Sequence, residues 1–126
     1  MAIMTMEQYN NFDFSDNEAV IDYVEKHLLE QGGRSIDCDG ECAYRGENGT
    51  ACAIGCLIPN EMYDEGIENH AYDDAFDIIR CNTGDSSLLN INNDVAYRIQ
   101  IIHDSFCEGS WIDQLKSVRK RHSIPN

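Results

Sequence analysis

The sequence predicts an α+β domain in which about four helices pack around a small antiparallel β-hairpin. Three observations carry that prediction. Apolar residues recur at helical spacing in four stretches, near 16–31, 71–79, 92–106 and 110–122. The dipeptide Asp39-Gly40, which favours a two-residue turn, lies between two short runs that can act as strands. The 126 residues, 42% of them apolar, suffice for one domain, 1–126, with a core of its own.

Residues 1–14 read as a loose N-terminal arm with apolar anchors at Tyr9, Phe12 and Phe14. "SDNE" at 15–18 has the form of a capping box, in which Ser15 and Glu18 each satisfy one free amide. Val20, Ile21, Val24 and Leu28 follow on one helical face, and Gly32-Gly33 supplies the left-handed stop, which sets a helix over about 16–31. Its Asp22, Glu25 and Glu30 read as a solvated acidic face. The hairpin strands are expected at about 34–38 and 41–45, with Cys38 opposite Glu41 and Cys42 opposite Asp37. "TACAIGCLIP" at 50–59 fits a third strand or a short helix capped by Thr50 and stopped by Pro59, and its Ala and Leu content favours the helix.

Downstream, Ala71, Ala75, Phe76 and Ile79 mark one side of a helix that gives way to a loop over 81–87. Asn92 or Asn93 caps the next helix, whose apolar stripe is Val95, Ile99, Ile102 and Phe106. Ser110 caps a final helix with Trp111, Leu115 and Val118 facing inward. The basic residues of its last turn complement the helix dipole.

Charge narrows the partner class. Twenty-three acids face nine bases, for a net charge of −14. All the acids lie in residues 1–115, while Lys116, Arg119, Lys120 and Arg121 cluster at the C-terminal end. Such a field repels nucleic acid and anionic membranes and attracts basic surfaces, including the grooves of nucleic-acid-binding proteins. Asp22, Glu25, Asp73, Asp74 and Asp77 are the candidate partner-binding acidic face; an acidic surface also serves solubility alone. No stretch reaches the roughly 20 apolar residues of a membrane span, and the N-terminus lacks the basic and apolar regions of a signal peptide. The expected location is a reducing cytoplasm, where structural disulfides are uncommon.

Cys38, Cys42, Cys52 and Cys56 form a C-x3-C-x9-C-x3-C pattern. Both short gaps suit zinc, which asks for four donors on a tetrahedron. The nine-residue spacer is short, however, and the expected hairpin places Cys38 and Cys42 on opposite faces. Zinc through Cys42, Cys52 and Cys56 is therefore the lesser reading, and no cofactor is the expectation. Redox or nucleophilic chemistry wants a basic neighbour for the thiolate, and the neighbours here are acidic. The balance favours cysteines acting as small buried hydrophobes in a hairpin-plus-helix core. "IHDS" at 102–105 has the His-Asp pair of metal phosphohydrolases, but two residues are a weak signal; a partly buried His103 beside an exposed Asp104 is the plainer expectation. "GENG" is no phosphate loop, and the acids at 61–68 and 73–77 lack the ligand order of an EF-hand.

Read whole, "CAYRGENGTACAIGCLIPNEMYDE" resembles the central block of a group of small bacteriophage and prophage proteins, "CAYRG…G…CA-[IV]-G-C-L-I-P-[DN]-E…Y". The matching residues are Cys42, Ala43, Tyr44, Arg45, Gly46, Gly49, Cys52, Ala53, Ile54, Gly55, Cys56, Leu57, Ile58, Pro59, Asn60, Glu61 and Tyr63. A later "Q-x-I-H-D…W…L" segment matches at Gln100, Ile102, His103, Asp104, Trp111 and Leu115. The resemblance spans roughly 16–118; Asn60 stands where aspartate is more usual, and Cys38 lies outside the pattern. It implies a phage origin and action in the bacterial cytoplasm, and it brings no activity and no catalytic residues with it.

Together these readings lead to a non-enzymatic acidic binding protein that inhibits a host or anti-phage defence protein, in one version by mimicking the charge of nucleic acid. A second copy of the chain is a further partner candidate. The alternative is a binder that sequesters a nucleotide signal, with Tyr44 stacking on a base and Arg45 and Arg80 pairing with phosphate. A third reading is a small metal-dependent enzyme using His103 and Asp104.

Overall fold

The computed structural model describes residues 3–105 and 108–124. Among these described residues five α-helices follow in order: α1 Met6–Asn10, α2 Asn17–Gln31, α3 Tyr72–Thr83, α4 Asn93–Ser105 and α5 Trp111–Arg121. Helices α2, α4 and α5 pack on one another, and α3 packs against the short turns Glu65–Ile67 and Ser87–Asn90. Between α2 and α3 the chain runs without regular structure except for single 3₁₀ turns.

The predicted α+β class is therefore corrected: among the described residues the fold is helical, with no sheet and no hairpin ladder. Two isolated bridges are present, Ile36 with Cys42 and Arg45 with Ala51. The turn at Asp39-Gly40 exists, but it is longer than expected. Asp37 N–H bonds the Glu41 carbonyl at 2.8 Å, and Gly40 takes φ +80°, leaving three residues in the loop. The Asp37 carboxylate accepts from the amides of Asp39 and Glu41, which favours this wider turn. Pairing moves by one residue, so Ile36, not Asp37, stands opposite Cys42. One further bond follows, from Ala43 N–H to the Ser35 carbonyl, and the pairing stops there because Ser35 N–H turns to His103 Nε2. Tyr44 and Arg45 both donate to the carboxylate of Glu68, at 2.9 and 3.1 Å.

The segment 50–58 is neither the favoured helix nor a strand. It holds one bridge at Ala51 and a 3₁₀ turn over Gly55–Leu57. Ala51 through Ile58 are almost wholly excluded from solvent and form the centre of the core with Phe14, Leu28, Ile99 and Trp111.

The N-terminal arm is not loose over its described part. Thr5 and Gln8 form a capping box that starts α1, Met4 N–H bonds the Cys56 carbonyl at 2.8 Å, and Met4, Tyr9 and Phe14 are buried. Of the expected anchors, Tyr9 and Phe12 each pack at a tilt against the Phe14 ring. The capping box expected at Ser15 shifts by one: Asp16 is the N-cap and accepts from Ala19 N–H, while the Ser15 hydroxyl bonds Asp13.

The helical stripes follow the sequence. Val20, Ile21, Val24 and Leu28 are buried in α2, and Gly32 ends the helix at φ +72°. Asn92 caps α4 by accepting from Asp94 and Val95. Val95, Ile99 and Ile102 are buried; Phe106, assigned to the same stripe, lies outside the described residues. Ser110 stands at the N-cap of α5, though its side chain makes no capping bond. Helix α3 runs on through Thr83, where the sequence predicted a loop, and Gly84 ends it. Ala75, Phe76 and Ile79 are buried as expected, whereas Ala71 is the exposed N-cap residue.

Candidate functional site

The distinctive block from Cys42 to Tyr63 serves mainly to hold the irregular segment together. Arg45 directs its guanidinium at the carbonyls of Gly55, 2.6 Å, and Ile58, 2.5 Å, and at the Asn60 side chain. It also lies over the Tyr63 ring. Carbonyls left free by a loop need donors, and one arginine supplies several in a fixed fork. Glu68 does the converse for amides, accepting from Tyr44, Arg45 and the Tyr63 hydroxyl. Gly55 lies so close to the Tyr44 carbonyl that a Cβ there would meet it at 2.3 Å. The Tyr44 hydroxyl donates to the His70 carbonyl. Of the three residues considered for a nucleotide, Tyr44 and Arg45 are thus bonded within the fold, and Arg80 pairs with Asp77 on α3 at 2.6 Å.

The four cysteines divide into two environments. Cys52 and Cys56 have no exposed surface. Cys52 Sγ accepts from Gly55 N–H, Cys56 Sγ donates to the Ala53 carbonyl, and burial pushes the Cys52 thiol up to about 12 and Cys56 well above its ordinary range. These two are the small hydrophobes expected. Cys38 and Cys42 are exposed and correct that reading for half of the set. The core residues Cys52 and Cys56 do not join Cys42 in a ligand cluster. Among the described residues, the one grouping of three or more metal-ligating side chains is Cys42, His103 and Asp104, whose donor atoms lie within 4.8 Å of one another.

The order of hydrogen bonds in that cluster limits its chemistry. His103 is fully buried, more so than expected, and its ring stacks on Trp111. The Ser35 amide donates to Nε2 at 3.0 Å, so the ring proton sits on Nδ1 and is donated to Asp104 Oδ1 at 2.7 Å. A metal on Nδ1 would move that proton to Nε2, against the Ser35 N–H, and set two donors face to face. Cys42 is pushed up to about 11, first by partial desolvation of its sulfur and then by the neighbouring Asp104 charge. In a cysteine nucleophile pair the histidine takes the thiol proton; here the nearby ring nitrogen, Nδ1, already donates its proton to Asp104, and Nε2 is occupied by the Ser35 amide, so neither is free to take it.

Asp104 also borders an open groove of about 280 Å³ lined by Tyr44, Tyr72, Tyr97, Gln100 and Ile101, among others. Four of these residues, Tyr97, Gln100, Ile101 and Asp104, come from α4 at i, i+3, i+4 and i+7, one stripe of the helix beside its buried stripe. No single motif marks this set in the sequence. The repeat of an exposed aromatic, an amide and a carboxylate at helical spacing was the available signal. Tyr97 is 55% exposed, and the Tyr72 ring is held by its hydroxyl on the Asn93 carbonyl.

The acidic face also divides. Asp22 and Glu25 are bound by Arg119, itself nearly buried, at 2.7 and 2.8 Å, and so tie α2 to α5 instead of forming a free face. Arg98, Arg121 and His122 converge on Asp94. Although partial desolvation works against it, the hydrogen bonds from these three hold the Asp94 carboxyl down to about 2. Asp73, Asp74 and Asp77 remain on the exposed side of α3. The basic end of α5 is therefore partly spent inside the fold, through Arg119 and Arg121.

Among the described residues, no helix is long and apolar enough to cross a membrane. Compared with family models, curated proteins and solved structures, the chain matches none.

Proposed function

We propose that this chain is a non-enzymatic acidic binding protein that engages a basic surface on a bacterial host or anti-phage defence protein and blocks it. The observation that carries this reading is the distribution of charge. Arg34, Arg45, Arg80, Arg98, Arg119 and Arg121 all turn to partners within the chain. Arg34, Arg80, Arg98 and Arg121 stay partly exposed but are each already paired with a carboxylate, so the net charge of −14 rests on the carboxylates that have no such partner. The phage-protein resemblance supplies the setting, a bacterial cytoplasm. The occupied nitrogens of His103 and the raised Cys42 thiol support binding over catalysis. A nucleotide-sequestering role has less support, since Arg45 and Arg80 are engaged and the surface repels phosphate.

The test is capture from bacterial lysate on immobilised protein at low salt, elution with a salt gradient, and repetition with each purified candidate in an activity assay. A basic protein retained at low salt, released by salt and inhibited by the chain is the expected result. Retention of nothing, or only of proteins whose binding ignores salt, would overturn the charge-driven reading.

A further inference from the structure

We propose that the groove along α4 receives an arginine side chain of the basic partner; this rests on the partner being basic, as argued above. The groove joins two features that together suit a guanidinium. Its lining is aromatic, with Tyr97 exposed, Tyr72 half-buried and the core residue Tyr44 at its floor, and a planar cation stacks on the exposed Tyr97 ring. At its border stands the Asp104 carboxylate, about a third exposed. His103 occupies part of its acceptor capacity and fixes its position. A carboxylate offers about four lone-pair sites, so room remains for the paired N–H groups of a guanidinium fork.

Size and charge select against other occupants. At about 280 Å³ the groove falls below the roughly 300–1,000 Å³ typical of drug-sized ligands and suits one long side chain. A nucleotide could stack on the same rings, but its phosphate would enter the field of a chain carrying −14. Lysine would satisfy the charge, yet it lacks the flat face and the two-pronged geometry. The electrostatic complement of this groove is therefore an arginine presented by a basic protein segment.

Dye-labelled hexa-arginine and hexa-lysine peptides, titrated against the full chain at low salt by fluorescence anisotropy, test the assignment. Hexa-arginine is expected to bind roughly tenfold more tightly, the factor a stacked and forked guanidinium supplies over a point charge. Asp104→Asn and Tyr97→Ala should each remove most of that preference. The Tyr97 ring is solvent-exposed, so the second variant keeps the test valid if the first disturbs His103. Replacing Asp73 and Asp74 with Asn should weaken both peptides alike. In ¹⁵N–¹H spectra the arginine peptide should shift the Tyr97, Ile101 and Ser105 amides. Equal binding of both peptides, unchanged in both groove variants, would overturn the groove assignment while leaving the basic-partner reading intact. Failure of both peptides to bind would instead remove the basic-partner reading, and the arginine occupant with it. Guanosine monophosphate displacing the peptide from those amides, or the same shifts arising from protein concentration alone, would assign the groove to a nucleotide or to a second copy and so refute the proposal.

Discussion

Replacing Glu68 with glutamine changes no volume and tests whether one carboxylate organises the irregular half of the fold. Its Oε1 accepts from Tyr44 N–H at 2.9 Å, and its Oε2 accepts from Arg45 N–H at 3.1 Å and from the Tyr63 hydroxyl at 2.6 Å. Glutamine has one acceptor oxygen. Kept on Tyr44, it turns its NH2 toward the Arg45 amide, donor against donor; the Tyr63 hydroxyl can rotate to accept, but the backbone amide cannot. One charge-assisted bond is lost and one part-buried amide is stranded. Each effect is worth about 1–3 kcal/mol fully buried, and the partial exposure of Glu68 points to the lower end, about 2 kcal/mol in all. At a urea m value of about 2 kcal/mol/M this moves the unfolding midpoint down by roughly 1 M, and Tm by roughly 8 °C. Hydrogen exchange should accelerate at the Tyr44 and Arg45 amides. A loss below about 0.5 kcal/mol with m unchanged, and undisturbed exchange at those amides, would show that water or another acceptor serves them and would refute the reasoning.

Gly55→Ala puts a Cβ at 2.3 Å from the Tyr44 carbonyl, so backbone must shift; a loss of about 3 kcal/mol or a failure to fold is expected, and a midpoint like the native one would show the segment to be compliant. His27 donates Nε2–H to the Ala51 carbonyl and keeps its buried Nδ1 without a partner; burial lowers its pKa, partly offset by that bond. Its contribution is therefore present above the unfolded value, about 6.5, and is lost as pH falls through the lower folded value; His27→Gln should flatten the drop in urea midpoint between about pH 6.5 and 5, and parallel curves for the two proteins would contradict this. In a thiol-labelling time course read by mass mapping, Cys38 and Cys81 should label fastest, Cys42 more slowly because its thiol is pushed up to about 11, and Cys52 and Cys56 only with unfolding. Early labelling of Cys52 would show the core open.

What could be read in the sequence was what depends on neighbours three or four residues away. The buried stripes of α2 and α4, the stop at Gly32 and the cap at Asn92 were visible because periodicity and capping are local. The failures share one cause, a distant group that takes over a local preference. The runs 34–38 and 41–45 have strand-like composition, but the carboxylate that claims the Tyr44 and Arg45 amides is Glu68, more than twenty residues on. The segment 50–58 has a composition suited to helix, yet its carbonyls go to Arg45 and its glycine presses on Tyr44. The groove was missed for another reason: its stripe is regular, but exposed polar periodicity looks like ordinary helix surface until Tyr44 and Tyr72 are brought beside it.

This division bears on where function is carried. A block as distinctive as "CAYRGENGTACAIGCLIP" invites the reading that it is the working site, since its cysteines, arginine and tyrosine are residues that do chemistry. Here those same side chains are bonded inward: Arg45 to carbonyls, the Tyr44 hydroxyl to His70, Cys52 and Cys56 to their own turn. An irregular segment of this length leaves many backbone groups without a regular partner, and each must be satisfied by a specific side chain. A loop held by side chains therefore constrains its sequence as strictly as an active site does, with no ligand involved. The residues left for a partner are those the fold does not consume: Tyr97 on α4, the open side of Asp104, and Asp73 and Asp74 at the start of α3, whereas Gln100 accepts from Ile54 N–H. Substitutions in the block should thus act on stability and on binding together, whereas Tyr97→Ala should weaken binding at unchanged stability. That separation, measured by urea midpoint against peptide affinity on the same variants, distinguishes scaffold from surface.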